Sequence, residues 1–292
     1  MKAAGDRARR RRLERLKSVL ACPLCRGELN YAIDAATCRS CASEYPIRHD
    51  RIYFVWVPQR DDELDRLKGW LKKRLGRAYY TVGVRVLAPT FPFNFARRMR
   101  RHVDPASAVV VDAGSGNNRV HPDIICADMF DYDAVDVVCT LDALPFRAGA
   151  VDAFVSRSVL EHVPAPAAVL GEFARCTRPG GVGIHMIPFL FPYHASPADY
   201  QRFTHEGHDM LFRGWQIIER TNPSGPVSVA LLHLIEVLST ILSFNIQRAK
   251  PVVYLVLCAL LFPIKFLDAP FIDRPAFFGS AGSILSVVRK PL

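Results

Sequence analysis

No apolar run follows the basic start of this chain, so nothing there reads as a secretory signal, and a reducing, cytoplasmic setting is expected. Acid is in short supply: 28 Asp and Glu stand against 38 Lys and Arg in 292 residues, a net charge of +10. A disulfide framework is absent too, because four of the eight cysteines fall into two C-x-x-C pairs. No aromatic residue stands near Arg7–Arg12, where a nucleic-acid-binding arm would stack bases. Disorder is excluded by composition, since 50% of the residues are hydrophobic. The length allows more than one folded unit.

The basic excess is local. Residues 1–20 carry eight Lys or Arg against two acids, and residues 60–101 carry twelve against four, whereas 102–292 is net acidic. Such an arm fits an anionic partner, a membrane surface or nucleic acid, or else serves only as a solvated tail.

Cys22-Pro-Leu-Cys25 and Cys38-Arg-Ser-Cys41 are two knuckles twelve residues apart. Each offers two thiolates on one turn, and two knuckles complete a tetrahedral sulfur site for structural Zn2+. Four thiolates leave no open position for water, so the expected role is stabilisation rather than catalysis. Strand signals flank the knuckles at 28–33 and 52–57. The series Leu20-Ala-Cys-Pro-Leu-Cys, Gly27, Leu29, Cys38-Arg-Ser-Cys and Glu44-Tyr-Pro-Ile-Arg48 resembles the Trm112-like zinc ribbons, which accompany methyltransferases. The usual Gly-Ile after Pro-Ile-Arg is replaced here by His49-Asp50-Arg51-Ile52.

The stretch that organises the remainder is Val109-Val-Val-Asp112-Ala-Gly114-Ser-Gly116. A β-branched run entering a Gly-x-Gly turn reads as a buried parallel strand followed by a sharp loop. Alone it is a weak nucleotide-site signal. Further strand signals follow at 124–127, 135–139, 151–156, 182–187 and 215–219, with a helical pattern at 164–176. This alternation predicts a parallel α/β sheet with its site at the strand C-termini.

Asp112-Ala-Gly-Ser-Gly, Asp128, Leu141-Asp142-Ala143-Leu-Pro-Phe, Val151-Asp-Ala-Phe-Val-Ser156, Val159-Leu-Glu-His162-Val and Arg178-Pro-Gly-Gly resemble the motif series of class I S-adenosylmethionine (SAM)-dependent methyltransferases of the methyltransferase-11 type. The resemblance implies a Rossmann-like α/β sheet and SAM as cofactor. It sets Asp112, Gly114 and Gly116 beside the methionine part, Asp128 on the ribose hydroxyls, and Leu141, Asp142 and Ala143 at the adenine. Ser156 and Val159 join the cofactor set, and Val159–His162 lies under the sulfonium. For Asp128 a turn-capping role, and for Glu161-His162 a plain surface loop, stay open. Two departures stand out: Asn118 replaces a third glycine, and the crossovers after Gly116 and Asp128 are too short for long helices. Arg119 either compensates at the cofactor carboxylate or is a solvated surface residue.

His194…Pro197-Ala-Asp199-Tyr-Gln-Arg202-Phe-Thr resembles a segment found after the fifth strand in part of the family, where substrate enters. His194 and His162 are the candidate catalytic histidines, His194 as general base, and Arg202 is a candidate anion clamp. The alternative for Arg202 is simple pairing with Asp199 at i,i+3. The Asn-Pro-Pro-Tyr signature of exocyclic-amine and glutamine methylases is absent.

The expected organisation is a basic segment 1–19, a ribbon 20–58, connector helices 59–101 and a methyltransferase unit 102–292. An apolar insertion, 222–280, precedes the last strand. Its runs 227–244 and 252–262 fit a helical hairpin dipping into one leaflet better than two crossings, since the second run is short and the loop between them is basic. A buried cap over the substrate is the alternative. These features predict a SAM-dependent methyltransferase, peripheral or monotopic at the inner membrane face, acting on a small-molecule or lipid-linked acceptor. The rivals are an RNA methyltransferase with a zinc module and a non-catalytic scaffold on the same fold. Oligomeric state is not legible.

Overall fold

The computed structural model describes residues 2–57, 74–76, 82–83, 86–194, 198–244 and 246–292, with only the backbone of residues 2–10. Of the expected connector helices at 59–101, the stretches 59–73, 77–81 and 84–85 lie outside the described residues.

The first helix, α1 (Lys2–Val19), leads into β1 (Leu29–Tyr31), β2 (Ala35–Cys38), β3 (Glu44–Arg48) and β4 (Arg51–Tyr53). These ribbon strands form an antiparallel meander. The turn between β3 and β4 is His49-Asp50, both at positive φ (51° and 62°). A two-residue hairpin turn of this hand asks for left-handed backbone at both positions, which is why glycine is common there. Here two non-glycine residues accept that conformation.

A short helix, α2 (Phe95–Met99), is capped by Asn94, whose side chain accepts from the Arg97 amide at 2.9 Å. After it come β5 (Val110–Ala113), β6 (Ile125–Asp128), β7 (Val137–Val138) and β8 (Val151–Arg157). Helix α3 (Pro166–Cys176) then leads to β9 (Thr177–Pro188), α4 (His205–Leu211) and β10 (Gln216–Ser224). The chain closes with α5 (Pro226–Leu242), α6 (Lys250–Leu261) and β11 (Ser283–Arg289).

All these strands join one eleven-stranded sheet in the order β1-β2-β3-β4-β7-β6-β5-β8-β9-β11-β10. From β7 to β9 the neighbours are parallel, and β11 runs antiparallel between β9 and β10. This is a Rossmann-like α/β sheet whose last strand, β11, inserts between β9 and β10. Residues of β5 and β6 are buried without exception, as strands covered on both faces must be. The ribbon is continuous with this sheet: β4 pairs parallel to β7, Ile52 beside Val137 and Tyr53 beside Val138.

No helix forms in 114–124 or 129–136, as the short crossovers predict. Leu16, Val19 and Leu20 share a buried cluster with Val111, Ala113, Ile125, Ala127 and Val137, so α1 covers apolar surface that crossover helices would otherwise cover. Three of its arginines are engaged in the same contact. Arg11 pairs with Asp123 at 3.0 Å and Arg12 with Asp136 at 2.9 Å, while Arg15 donates to the carbonyls of Pro105, Ala106 and Ala108. The expectation of a free basic arm is therefore corrected for these three residues. Arg119 is corrected too: its guanidinium takes Asp136 at 2.8 Å and the carbonyls of Ile124 and Ala134, a buried structural fastening.

The apolar insertion lies between β10 and β11 and forms an antiparallel hairpin of α5 and α6. Its base is held by polar groups. Asp268 accepts from the Val227 and Ser228 amides, each at 2.8 Å, and so caps α5 from a distant part of the chain. A Cβ on Gly225 would lie 2.5 Å from Asp268 Oδ1, so glycine is what admits the cap. Lys265 is buried beneath, donating to Val86 and Ala88 carbonyls at 2.6 Å.

Candidate active site

The loop after β5 is shaped by two glycines. Gly114 (φ +71°) holds its backbone so close to Val159 that a Cβ would meet Val159 Cγ2 at 2.6 Å. Gly116 (φ +56°) faces open space, so its requirement is conformational. The Asp128 carboxylate at the end of β6 accepts from the Gly116 amide at 2.8 Å and the Phe130 amide at 3.0 Å. It therefore braces the glycine turn, as a turn-capping carboxylate does, and keeps lone pairs to spare. Burial pushes the Asp128 carboxyl up from its ordinary value.

Asp112 is fully buried at the end of β5. One oxygen accepts from Arg157 at 3.1 Å and the other, Oδ1, has no partner. Burial raises its pKa to about 6, against the lowering pull of the Arg157 guanidinium. Arg157 also donates to the Asn118 carbonyl at 3.0 Å and stands over the Phe95 ring. Thus Asn118, where a third glycine is usual, is held through its backbone.

The loop 141–147 is gripped from two sides. Glu172 of α3 accepts from the Leu144 amide at 2.8 Å, and Arg175 donates to the Leu144 and Phe146 carbonyls. From the ribbon, Arg26 donates to the Leu144 carbonyl at 2.9 Å, Ala21 to Pro145 at 2.9 Å, and Leu20 bridges Phe146. Leu141 and Ala143 are half-buried, and Asp142 is exposed. Ser156 requires a correction. Its hydroxyl is buried and bonded to His185 Nδ1 at 2.8 Å, so the side chain serves the sheet interior rather than a ligand.

Val159 continues into a single turn, Leu160–His162, carrying Glu161 and His162. Glu161 is fully buried, so it is no surface loop residue. Its Oε1 lies 3.5 Å from His194 Nε2 and 3.7 Å from His162 Nε2, and neither carboxylate oxygen has a hydrogen-bond partner. The two imidazoles meet edge-on, with ring centroids 5.0 Å apart. The structure thus brings His194 and His162 together beside Glu161. The Glu161 carboxylate raises the His194 pKa, with burial opposing it.

Arg202 follows the alternative reading, pairing with Asp199 at i,i+3. Nη1 and Nη2 grip the Asp199 carboxylate, and the guanidinium also donates to Phe191, Pro192 and Gln201 carbonyls. With its donors engaged it fastens the segment around His194, and it is not an anion clamp. The pair with Arg202 holds the Asp199 carboxyl at about 2.

In the ribbon, the four cysteine sulfurs lie within 4.8 Å of one another. Cys22 and Cys41 are 3.7 Å apart and Cys25 and Cys38 are 3.4 Å apart. Tetrahedral zinc with Zn–S bonds of about 2.3 Å would put its sulfurs about 3.8 Å apart, so the donors fit. The knuckles are built alike. Arg26 and Ala42, each following a knuckle's second cysteine, have positive φ and bond back to the Cys22 and Cys38 carbonyls.

Sequence reasoning missed Arg157, Arg26 and the burial of Glu161. The first two have no local signal. The third was within reach, since Glu161 lies in the motif that follows Val159.

Residues 95–184 match the family described as "Methyltransferase domain". No curated protein matches the chain. Among solved structures it is similar to phosphoethanolamine N-methyltransferase 2 of Haemonchus contortus in complex with SAM. That match has 16% identity and a TM-score of 0.46, over 76% of this chain and 60% of that one. It is also similar to a Haloferax volcanii complex of the Trm112 methyltransferase activator and a methyltransferase, at 17% identity and TM-score 0.42, over 80% of this chain and 100% of that one. A third is 1,6-didemethyltoxoflavin-N1-methyltransferase of Burkholderia thailandensis, at 14% identity and TM-score 0.40, over 91% and 100%. These are distant likenesses.

Proposed function

We propose that this class I SAM-dependent methyltransferase, with Zn2+ in its ribbon, methylates a small-molecule or lipid-linked acceptor at a membrane surface. One observation carries the cofactor reading: the left-handed Gly114–Gly116 turn lies beside the Asp128 carboxylate and the unpartnered, buried Asp112 Oδ1. An orphaned buried acceptor is costly unless a donor arrives, and the ammonium of an amino-acid moiety is such a donor. Asp112, Gly114, Gly116 and Asp128 would hold SAM, with loop 141–143 along the adenine. When bound, SAM supplies an electrophilic methyl group on a sulfonium. Val159 keeps the turn closed, and the His162–His194 face, on the chain that follows Val159, receives the acceptor.

The membrane reading rests on the hairpin. Leu234, Val237, Ile241, Val252, Val256 and Leu260 all stand in solvent, more apolar surface than a soluble cap would leave uncovered. Lys250–Asp268 is the one helical run long and apolar enough, among the described residues, to cross a membrane. However, Lys265 and Asp268 at its end are bound into the base of the hairpin, and both limbs return to one sheet. A hairpin lying in one leaflet fits these constraints. The nucleic-acid reading is the second choice, because Arg11, Arg12 and Arg15 are engaged with the fold's own acids and carbonyls.

Two measurements test the proposal. Labelled methyl from SAM should appear in a lipid or small-molecule fraction and not in RNA; label in RNA alone would overturn the acceptor class, and no transfer to any fraction would favour the scaffold reading. In flotation with anionic vesicles the full chain should rise with the lipid. Replacing limbs 231–261 by a Gly/Ser linker, with Lys265 and Asp268 kept, should leave it in solution. A full chain that is monodisperse without detergent and ignores vesicles would make the hairpin a soluble cap.

A further inference from the structure

Glu161, His162 and His194 meet at the turn after Val159, and each presents one ligand atom within 4.8 Å of the other two. The two imidazoles are anchored alike. His162 Nδ1 lies against the Ala198 carbonyl and His194 Nδ1 is 3.1 Å from the Pro192 carbonyl. A carbonyl can only accept, so each Nδ1 offers its proton there, with Arg202 Nη2 also 3.4 Å from His194 Nδ1, and in the neutral imidazole Nε2 keeps the lone pair. Those lone pairs converge on Glu161. Backbone carbonyls that fix the tautomer and the ring plane are the usual outer support of a metal-bound histidine.

Glu161 provides the independent sign. Its carboxylate is fully buried and neither oxygen has a hydrogen-bond partner. A buried carboxylate without donors is among the costliest groups a fold can hold, and a cation is one way to relieve it. The spacing suits a shared ion. Two ligands of one tetrahedral ion at about 2.0–2.1 Å lie about 3.3 Å apart. Glu161 Oε1 stands 3.5 Å and 3.7 Å from the two Nε2 atoms, so closing on an ion needs only small shifts.

We propose that Glu161, His162 and His194 form a second metal centre, separate from the ribbon, that binds a first-row divalent cation through two imidazoles and one carboxylate. Three protein ligands leave open positions, unlike the closed four-thiolate site. The cluster lies near the glycine turn, because Val159, two residues before Glu161, rests on Gly114. The acceptor class follows: a hydroxyl whose oxygen fills an open position and is acidified there. The acceptor oxygen releases its proton to water and bonds the methyl carbon, and the C–S electron pair stays on sulfur. No redox partner is required. Only this acceptor assignment rests on the methyltransferase reading; the metal centre itself does not.

The probe is Co2+, titrated into the full chain with its ribbon filled by zinc and without SAM. One further Co2+ per chain should bind, giving visible d–d bands without thiolate charge transfer. His194→Ala and Glu161→Gln should each weaken it at least about tenfold, as supporting-shell changes alone do by 10–100-fold. Zinc content and melting temperature monitor folding in both variants. His194, at the rim, is the variant to rely on if Glu161→Gln does not fold. A wild-type chain that takes up no Co2+, Zn2+ or Mn2+ beyond the ribbon overturns the centre, as does binding unchanged in both variants. Metal binding with label transferred only to nitrogen would leave the centre and overturn the hydroxyl acceptor. Absence of all transfer would count against the methyltransferase reading while the Co2+ titration still stood.

Discussion

Lowering the pH should destabilise this fold through a histidine that no ligand touches. His185 on β9 is buried between Phe173 and Phe212, with ring centroids 5.5 Å and 5.0 Å away and nearly parallel planes. Ser156 of β8 holds its Nδ1. Burial pushes the His185 pKa down to about 3 from an ordinary 6.5. The folded chain thus refuses a proton that the unfolded chain accepts. The sign follows: stability is whole above about pH 6.5, falls as pH drops below it, and stops falling only near 3. Each pH unit in that window costs about 1.4 kcal/mol, so between pH 7 and pH 5 His185 alone removes about 2 kcal/mol. Against a whole-domain stability of about 5–15 kcal/mol this is large. His208 is pushed to about 3 as well and adds a similar loss. Asp112, raised to about 6, works in the opposite sense, since its folded form takes up a proton on acidification before the unfolded chain does. The difference between wild type and His185→Asn cancels both. Urea unfolding at pH 7 and pH 5, with m unchanged, should show wild type losing about 2 kcal/mol more than the variant. Parallel losses in the two proteins would refute a neutral, buried His185. The readout bears on the site because the Ser156–His185 bond ties β8 to β9 just before Arg157, Val159 and Glu161.

Asp128→Ala removes the brace on the Gly116 amide together with the ribose acceptor. SAM affinity by calorimetry should fall by about 1.5–3 kcal/mol, and an unchanged value would mean that the cofactor lies elsewhere. Elemental analysis should find one zinc in the ribbon per chain, absent in Cys38→Ser with Cys41→Ser. Because Leu20, Ala21 and Arg26 hold the 144–147 loop, losing that zinc should lower both the melting temperature and SAM affinity. A ribbon-free variant that melts and binds SAM like wild type would show that the two parts fold independently.

Much of the architecture was legible because its signals are local. The β-branched run at 109–111 and the Gly-x-Gly turn specify a buried strand and a loop, and β5 starts within a residue of that reading. The two C-x-x-C knuckles specify their sulfur cluster through turn geometry alone. The apolar runs at 227–244 and 252–262 specify two helices. By contrast, the partners of long polar side chains are set by elements far apart in sequence. Arg12 and Arg119 share Asp136, which no spacing rule reports, whereas the i,i+3 spacing did offer the Arg202–Asp199 pair but not the carbonyls that Arg202 also takes. Ser156 looked ligand-facing from its motif, yet strand alternation turned its hydroxyl inward to His185.

By itself the sequence determined the succession of strands in the α/β unit, the ribbon and its four clustered cysteines, the glycine turn with Asp128, and the place of the insertion. Each follows from backbone conformational preference or hydrophobic periodicity, which act over a few residues. Tertiary structure alone decided that the ribbon's β4 extends the sheet at β7 and that α1 covers what the shortened crossovers leave open. It also decided that Glu161 is buried, without a hydrogen bond, and faced by two oriented imidazoles. Those outcomes depend on which surfaces meet once the sheet has closed. Burial, the main determinant of a carboxylate's protonation and ligand chemistry, exists only in the folded chain.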